Sequence, residues 1–275
     1  MRFVAFMALG VCIGAGVAPA AGKTFHLDGY VADEAGWSAT VQVTMAQAQD
    51  CGYGNVVVPV QLDYAYPQIL SPLDAHARAF NEGVKAEAAK LWHGLANVSQ
   101  ATANTDTCED VGLGFAYPAE DAELGSSDLA PSLPGVISLQ FVLADYTHGA
   151  AHSEWGNVGF NWDMAANREL RPADIFKAGD GWKQAVIKAA YAAFGNVIHS
   201  LVGPDMEAPM EETGTLPGDE AEKDFTDPSD WLLSAKGLEI ISSVYELCPY
   251  SCGTPSATIP WSALKPYLKP GGLAP

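Results

Sequence analysis

Basic residues are scarce in this chain: 14 Lys and Arg stand against 33 Asp and Glu in 275 residues, a formal net charge of −19. Such a surface repels a phosphate backbone and draws cationic partners inward, so nucleic acid is not an expected partner. Beyond the first residues the chain also lacks any apolar run long enough to cross a bilayer, so no membrane span is expected after removal of the leader described next. There is no G-x-S-x-G nucleophile elbow, no nucleotide-binding glycine fingerprint and no internal repeat. No paired CxxC knuckles occur either, which argues against a structural zinc ribbon.

The chain opens with a targeting segment. Arg2 precedes an apolar run from Phe3 to Val17, and Ala18-Pro19-Ala20 has the small-x-small form of a cleavage site. Residues 1–20 therefore read as a signal peptide, and a periplasmic or secreted protein is expected. Four cysteines follow it: Cys51, Cys108, Cys248 and Cys252. An even number in an exported chain points to disulfides, with three connectivities open. Cys51–Cys108 with Cys248–Cys252 is preferred, because only Pro249-Tyr250-Ser251 separates the last two. A zinc site built from all four thiolates is the alternative.

The stretch from Gly135 to Met164 carries the strongest pattern. Ile137, Leu139, Phe141 and Leu143 alternate with Ser138, Gln140 and Val142; Val158, Phe160, Trp162 and Met164 alternate with Asn157, Gly159, Asn161 and Asp163. Period-two alternation on both sides predicts a β-hairpin of two half-buried strands, each with one apolar face. The connection, Asp145 to Gly156, is longer than most hairpin loops and holds two histidines, two carboxylates and two aromatics.

Around this hairpin the chain reads as strands and two principal helices. Strands are expected at Thr40–Ala46 and Val56–Tyr66, the second carrying Pro59 and so placed at an edge or a bulge. Ser71-Pro72-Leu73-Asp74 opens a helix whose apolar stripe is Leu73, Ala77, Phe80, Val84, Leu91 and Leu95. Asp121 to Pro134 reads as loop. A short helical turn at Arg171–Phe176 precedes a second helix at about Gly181–His199. From 203 to 230 the chain holds ten Asp and Glu against one Lys, a solvated acidic excursion. A closing hairpin at Trp231–Leu247 and a short helix near Trp261 finish the chain.

Two groups of residues carry candidate chemistry. Asp145, His148 and His152 supply a carboxylate and two imidazoles, suitable donors for zinc; with Glu154 and Asp163 nearby they would suit a metal-dependent hydrolase acting on envelope glycan or peptide. The bland alternative is that His152 packs at the turn while His148 is solvated. The second group is aromatic: Tyr146 and Trp155 flank the loop, where rings beside polar groups stack on sugars or anchor a protein. No Thr-Phe-Asp-Asp-Gly stretch accompanies His148-Gly149-Ala150-Ala151-His152, so polysaccharide-deacetylase chemistry is not expected.

Four segments together resemble a widespread extracytoplasmic domain of unknown function: Gly135-Val136-Ile137-Ser138-Leu139, Gly149-Ala150-Ala151-His152, Phe160-Asn161-Trp162-Asp163 and Leu170-Arg171-Pro172-Ala173-Asp174-Ile175-Phe176. The closing Tyr245-Glu246-Leu247-Cys248-Pro249-Tyr250-Ser251-Cys252-Gly253 is similar to its C-terminal signature. That domain is the ectodomain of lysozyme-sensing anti-sigma factors and the non-catalytic N-terminal region of some peptidoglycan deacetylases. Tyr64-Ala65-Tyr66-Pro67-Gln68-Ile69 and the following helix resemble its usual partner domain. The resemblance implies an α+β fold, with antiparallel sheets and two main helices packed on their faces. It implies an N-terminal domain at 21–130, a C-terminal domain at 131–275, and a binding or sensing role at the cell envelope. A basic lysozyme-like protein or a peptidoglycan fragment would then be the partner, with no cofactor. The motif points to His152, Asn161 and Asp163 as ligand positions beside Tyr146, His148 and Trp155. No sigma-binding segment precedes the export signal and no deacetylase domain is attached, so neither of those activities is expected.

Overall fold

Alternation of large apolar and small polar residues makes Val136–Thr147 and Glu154–Asp163 a hairpin, and that hairpin is the middle of the molecule. A computed structural model describes residues 25–27, 30–45, 56–101, 119–127, 133–147, 152, 154–202, 225–247 and 250–274. The elements in order are β1 (Phe25–Leu27), β2 (Tyr30–Met45), β3 (Val56–Ser71), α1 (Ala75–Ala101), β4 (Ala119–Ser127), β5 (Val136–Thr147), β6 (Glu154–Asp163) and β7 (Arg168–Glu169). They continue with α2 (Pro172–Ile175), α3 (Gly181–Val202), β8 (Trp231–Leu233), β9 (Gly237–Ile241), β10 (Ser256–Pro260) and α4 (Trp261–Leu264). Strands β1 to β7 form one sheet in chain order, and β8 to β10 form a second, ordered β10-β9-β8. The fold is α+β; among the described residues every strand pairing is antiparallel except β3 with β4. No helix among the described residues is long and apolar enough to cross a membrane.

The apolar face of the hairpin builds one core with α1. Ile137 lies opposite Trp162, Leu139 opposite Phe160 and Phe141 opposite Val158. Phe80 of α1 meets Phe160 and Trp162 edge-on, at centroid distances of 6.4 and 6.3 Å. Gly83 lets the helix sit down on this face, since a Cβ there would collide with the Trp162 ring. Ala77, Val84 and Ala88 complete the helical stripe. The helix starts at Ala75, and its cap is Asp74, whose Oδ1 accepts the Ala77 N–H at 2.8 Å. Ser71, read as the first residue of the helix opening, instead ends β3, and Leu73 is exposed rather than part of the stripe.

The second core lies around α3 and the small sheet. Trp182, Val186, Ala190 and Phe194 pack with Trp231, Leu233, Leu238, Ile240, Ala257 and Ile259. Phe176 stacks on Trp182 at 4.6 Å, with Trp231 edge-on to both. Phe225, placed by sequence in the acidic excursion, is fully buried in this core; residues 203–224 lie outside the described part. Arg168 and Asp174 tie β7 to α2 by two parallel bonds of 2.8 and 2.7 Å, and the guanidinium holds the Asp174 carboxyl down to about 2.

Two expectations are corrected. Residues 121–127, read as part of a loop from Asp121 to Pro134, belong to β4, a strand with none of the alternation that would have announced it; pairing on both sides, with β3 and β5, holds it in place. Strand β3 lies inside the sheet, not at its edge. Pro59 is accommodated because β4 pairs with β3 only over Gln61–Tyr64. The β4–β5 pairing joins residues 119–127 to residues 140–147 within the large sheet.

Candidate functional site

The polar face of the hairpin was expected to meet water, and it does not. Ser138, Asn157 and Asn161 are buried, at 0, 7 and 4% exposure. A strand at the edge of a sheet leaves a row of unpaired backbone groups, and β8 has such an edge on the side away from β9. Side chains of the large sheet satisfy it. Ser138 Oγ accepts the Leu233 N–H at 2.8 Å and donates to Asn161 Oδ1 at 2.7 Å; Asn161 Nδ2 donates to the Trp231 carbonyl at 2.8 Å. One step along, Gln140 Nε2 donates to Asn157 Oδ1 at 2.6 Å, and Asn157 Nδ2 donates to the Ser242 carbonyl at 2.7 Å. Asn161, a ligand candidate by motif, is thus fully engaged between two sheets.

This docking fixes what comes next in the chain. After β9, Ser242 is held by Asn157, and its N–H and hydroxyl both reach the Pro255 carbonyl. The Val244 N–H then donates to the Trp155 carbonyl at 3.2 Å, so residues 242–244 are laid along β6 toward the hairpin tip. Tyr245 follows in a left-handed conformation, φ +65°, which costs a non-glycine residue about 1 kcal/mol and is found chiefly where surroundings impose it. A 3-10 turn at Tyr250–Cys252 ends the segment, and Cys252 is in a disulfide. Cys248, its expected partner, lies outside the described residues, as do Cys51 and Cys108.

Four rings meet where this segment reaches the tip. His152 stacks on Tyr250 with centroids 3.5 Å apart and planes 18° apart, and its Nε2 hydrogen-bonds the Tyr245 hydroxyl at 3.1 Å. Trp155 lies 5.8 Å from Tyr250 at 32°, and Tyr245 lies 5.7 Å from it at 39°. Trp155 keeps 37% of its surface exposed and Tyr245 53%. The result is a ledge of four rings, in which His152 and Tyr250 cover each other's faces and Trp155 and Tyr245 are exposed. Glu246, the residue after Tyr245, is exposed, and one of its carboxylate oxygens accepts the Ser243 N–H at 2.6 Å.

Of the residues singled out from sequence, the structure brings His152 and Trp155 together. Asp163 lies at the other end of β6, about 25 Å from Trp155 at strand rise, where its Oδ1 accepts the Ala165 and Ala166 N–H groups and shapes the turn into β7. Asp145 and Tyr146 are in β5, with Asp145 opposite Glu154, but their side chains lie outside the described part, as does the whole of His148. The zinc set proposed for Asp145, His148 and His152 therefore falls largely on undescribed residues. Among the described residues no three His, Cys, Asp or Glu come together as a metal site. Sequence reasoning did not assign Tyr245, about ninety residues from the hairpin. Its signal was weak: two tyrosines bracketing a cysteine-bearing turn.

Comparison with known proteins identifies a domain in this chain without assigning it an activity. Residues 173–262 match a family model described as "Protein of unknown function (DUF3298)". The match contains Tyr245 and Tyr250; His152 and Trp155 precede it. The chain is similar to the crystal structure of a DUF3298 family protein from Pseudomonas aeruginosa PAO1, at 16% identity over 90% of this chain and 97% of that one, with a TM-score of 0.49. It is also similar to a DUF3298 family member from Bacteroides fragilis NCTC 9343, at 16% identity over 86% and 94%, with a TM-score of 0.46. No curated protein matches it.

Proposed function

We propose that this chain is an exported, non-enzymatic binding module that meets a basic, lysozyme-like protein at the cell envelope, and that His152, Trp155, Tyr245 and Tyr250 are its contact surface. The observation that carries this reading is the ledge: two exposed aromatic rings held rigid by hydrogen bonds, ring stacking and a disulfide-bonded turn. Trp and Tyr dominate binding energy at protein interfaces, and rings already fixed lose little entropy on contact. The net charge of −19 favours a cationic partner and would raise its on-rate at low salt.

Titration of the mature protein with a basic lysozyme by calorimetry tests this. A saturable stoichiometric complex is expected at low salt, weakening as salt rises. Trp155→Ala should weaken it about tenfold or more, the effect of losing one central aromatic. Absence of a saturable complex at both salt levels would remove the partner. A peptidoglycan fragment binding the ledge with no salt dependence would replace a protein ligand by a glycan.

A further inference from the structure

We propose that Gln140 is a positioning residue for the ledge: its side-chain amide fixes which way the Asn157 amide faces, and that orientation holds the segment bearing Tyr245 and Tyr250 against the hairpin tip. The inference goes beyond the contact surface proposed above and rests on it only for its effect on binding. Donor and acceptor chemistry carries it. The Ser242 carbonyl can only accept, so the Asn157 group that faces it at 2.7 Å is the NH2. Asn157 Oδ1 is then turned toward Gln140, where its partner must donate, and Gln140 Nε2 does so at 2.6 Å. Gln140 lies opposite Gly159 in the register, so it reaches Asn157 as a diagonal neighbour on the same face. The two amides form a directional relay: reversing the first reverses the second.

What the relay holds is the base of the ledge. Asn157 bonds the incoming segment twice, through Nδ2 to the Ser242 carbonyl and through its backbone N–H to Ser243 Oγ at 3.2 Å, and the Trp155 carbonyl adds the bond from the Val244 N–H. Tyr245 comes next, at φ +65°, a conformation that its surroundings must impose. Its hydroxyl meets His152 Nε2, and Tyr250, five residues on, stacks on the same imidazole. Gln140 acts at a distance from these rings. Its register position is four residues from Trp155 along β6, about 13 Å at strand rise. Its influence on them passes through the Asn157 amide.

Gln140→Glu in the full mature chain tests this, because an ionised carboxylate of nearly the same shape can only accept. Facing it, the Asn157 amide turns over, its Oδ1 meets the Ser242 carbonyl and the tether is lost. At pH 7 the His152 and Tyr250 ring protons should lose the ring-current shifts of their stack, while core signals from Trp182 and Phe176 stay. On acidification the introduced carboxyl gains a proton and donates it to Asn157 Oδ1, so the stacked shifts should return. They are read as differences from the wild type at each pH, which cancels the titration of His152 itself. Gln140→Met, which removes the donor without opposing the amide, should give a smaller loss with no pH dependence. Stack signals in Gln140→Met identical to the wild type, or a Gln140→Glu loss that acid does not reverse, would overturn the inference. Binding is a separate readout. Where a basic lysozyme binds the wild type, Gln140→Glu should weaken it about tenfold at pH 7. A wild type that binds no lysozyme sinks that partner alone, since the ring signals report the relay without any ligand.

Discussion

Gly159→Ala should lower the unfolding free energy by about 3 kcal/mol, the upper end of what overpacking costs. Gly159 lies in β6, opposite Gln140, on the face that receives the edge of β8. A Cβ there would collide with the Trp231 carbonyl oxygen and stand 3.0 Å from the Trp231 carbonyl carbon and 3.2 Å from the Ser229 oxygen. All three are backbone atoms, so no side chain can rotate aside. The strand would have to part from β8, and the Asn161–Trp231 bond two residues away would lengthen with it. The sign makes the test sharp. Alanine normally stabilises the interior of a strand relative to glycine by about 0.5–1 kcal/mol, through the unfolded chain. Gly195→Ala in α3 is the control, because a Cβ there meets nothing within 4 Å; a gain of about 1 kcal/mol is expected. Urea unfolding of the two variants beside the wild type reads both. Stabilisation by Gly159→Ala would mean the two sheets do not approach as described.

Asn161→Ala should cost about 3–4 kcal/mol. Its amide closes a buried chain of bonds: Leu233 N–H to Ser138 Oγ, Ser138 O–H to Asn161 Oδ1, and Asn161 N–H to the Trp231 carbonyl. Alanine leaves the Trp231 carbonyl unsatisfied and removes the acceptor from Ser138. Each buried orphan costs about 1–3 kcal/mol, and the vacated volume adds a cavity term. Because the bonds form one network, Ser138→Ala and Asn161→Ala should not add, and the double variant should be less unstable than the sum. The same measurement separates a strut from a ligand group. A ligand-binding asparagine would lose affinity on substitution and keep its stability. Here stability should fall, and any affinity loss should disappear once the unfolded fraction is removed from the protein concentration.

The hairpin was legible because bulky residues alternate on both of its strands, and the register pairs Ile137 with Trp162 and Leu139 with Phe160 as that alternation requires. What lay on its other face was not, because small polar residues alternate in the same way whether water or a second sheet covers them. One cue existed. In a chain with 33 acidic residues, the positions Ser138, Gln140, Asn157, Gly159 and Asn161 contain none, and a solvated face would be expected to carry several. Uncharged polar residues with a glycine among them fit buried backbone groups better than water. Strand β4 was illegible for the converse reason: Ala-Glu-Asp-Ala-Glu-Leu-Gly-Ser-Ser has no intrinsic strand signal, and only its partners on both sides make it one.

The candidate site was half legible. His152 and Trp155 were marked by their place at a hairpin tip rich in rings and titratable groups. Their companions Tyr245 and Tyr250 come from a segment steered to the tip by Asn157 and the Trp155 carbonyl, a route no local pattern records. Asp163 was drawn in by its motif, yet it shapes a turn at the far end of the strand. Motif membership marks residues a fold reuses, and a turn or a sheet-to-sheet strut is reused as faithfully as a binding group.

Amide hydrogen exchange of the mature protein, alone and saturated with a basic lysozyme, tests the central claim most directly. The account predicts new protection in residues 152–158 and 243–253, with α1 and the Arg168–Asp174 fork unchanged. Protection confined to the α1 face at saturation, with the ledge exchanging as in the free protein, would contradict it.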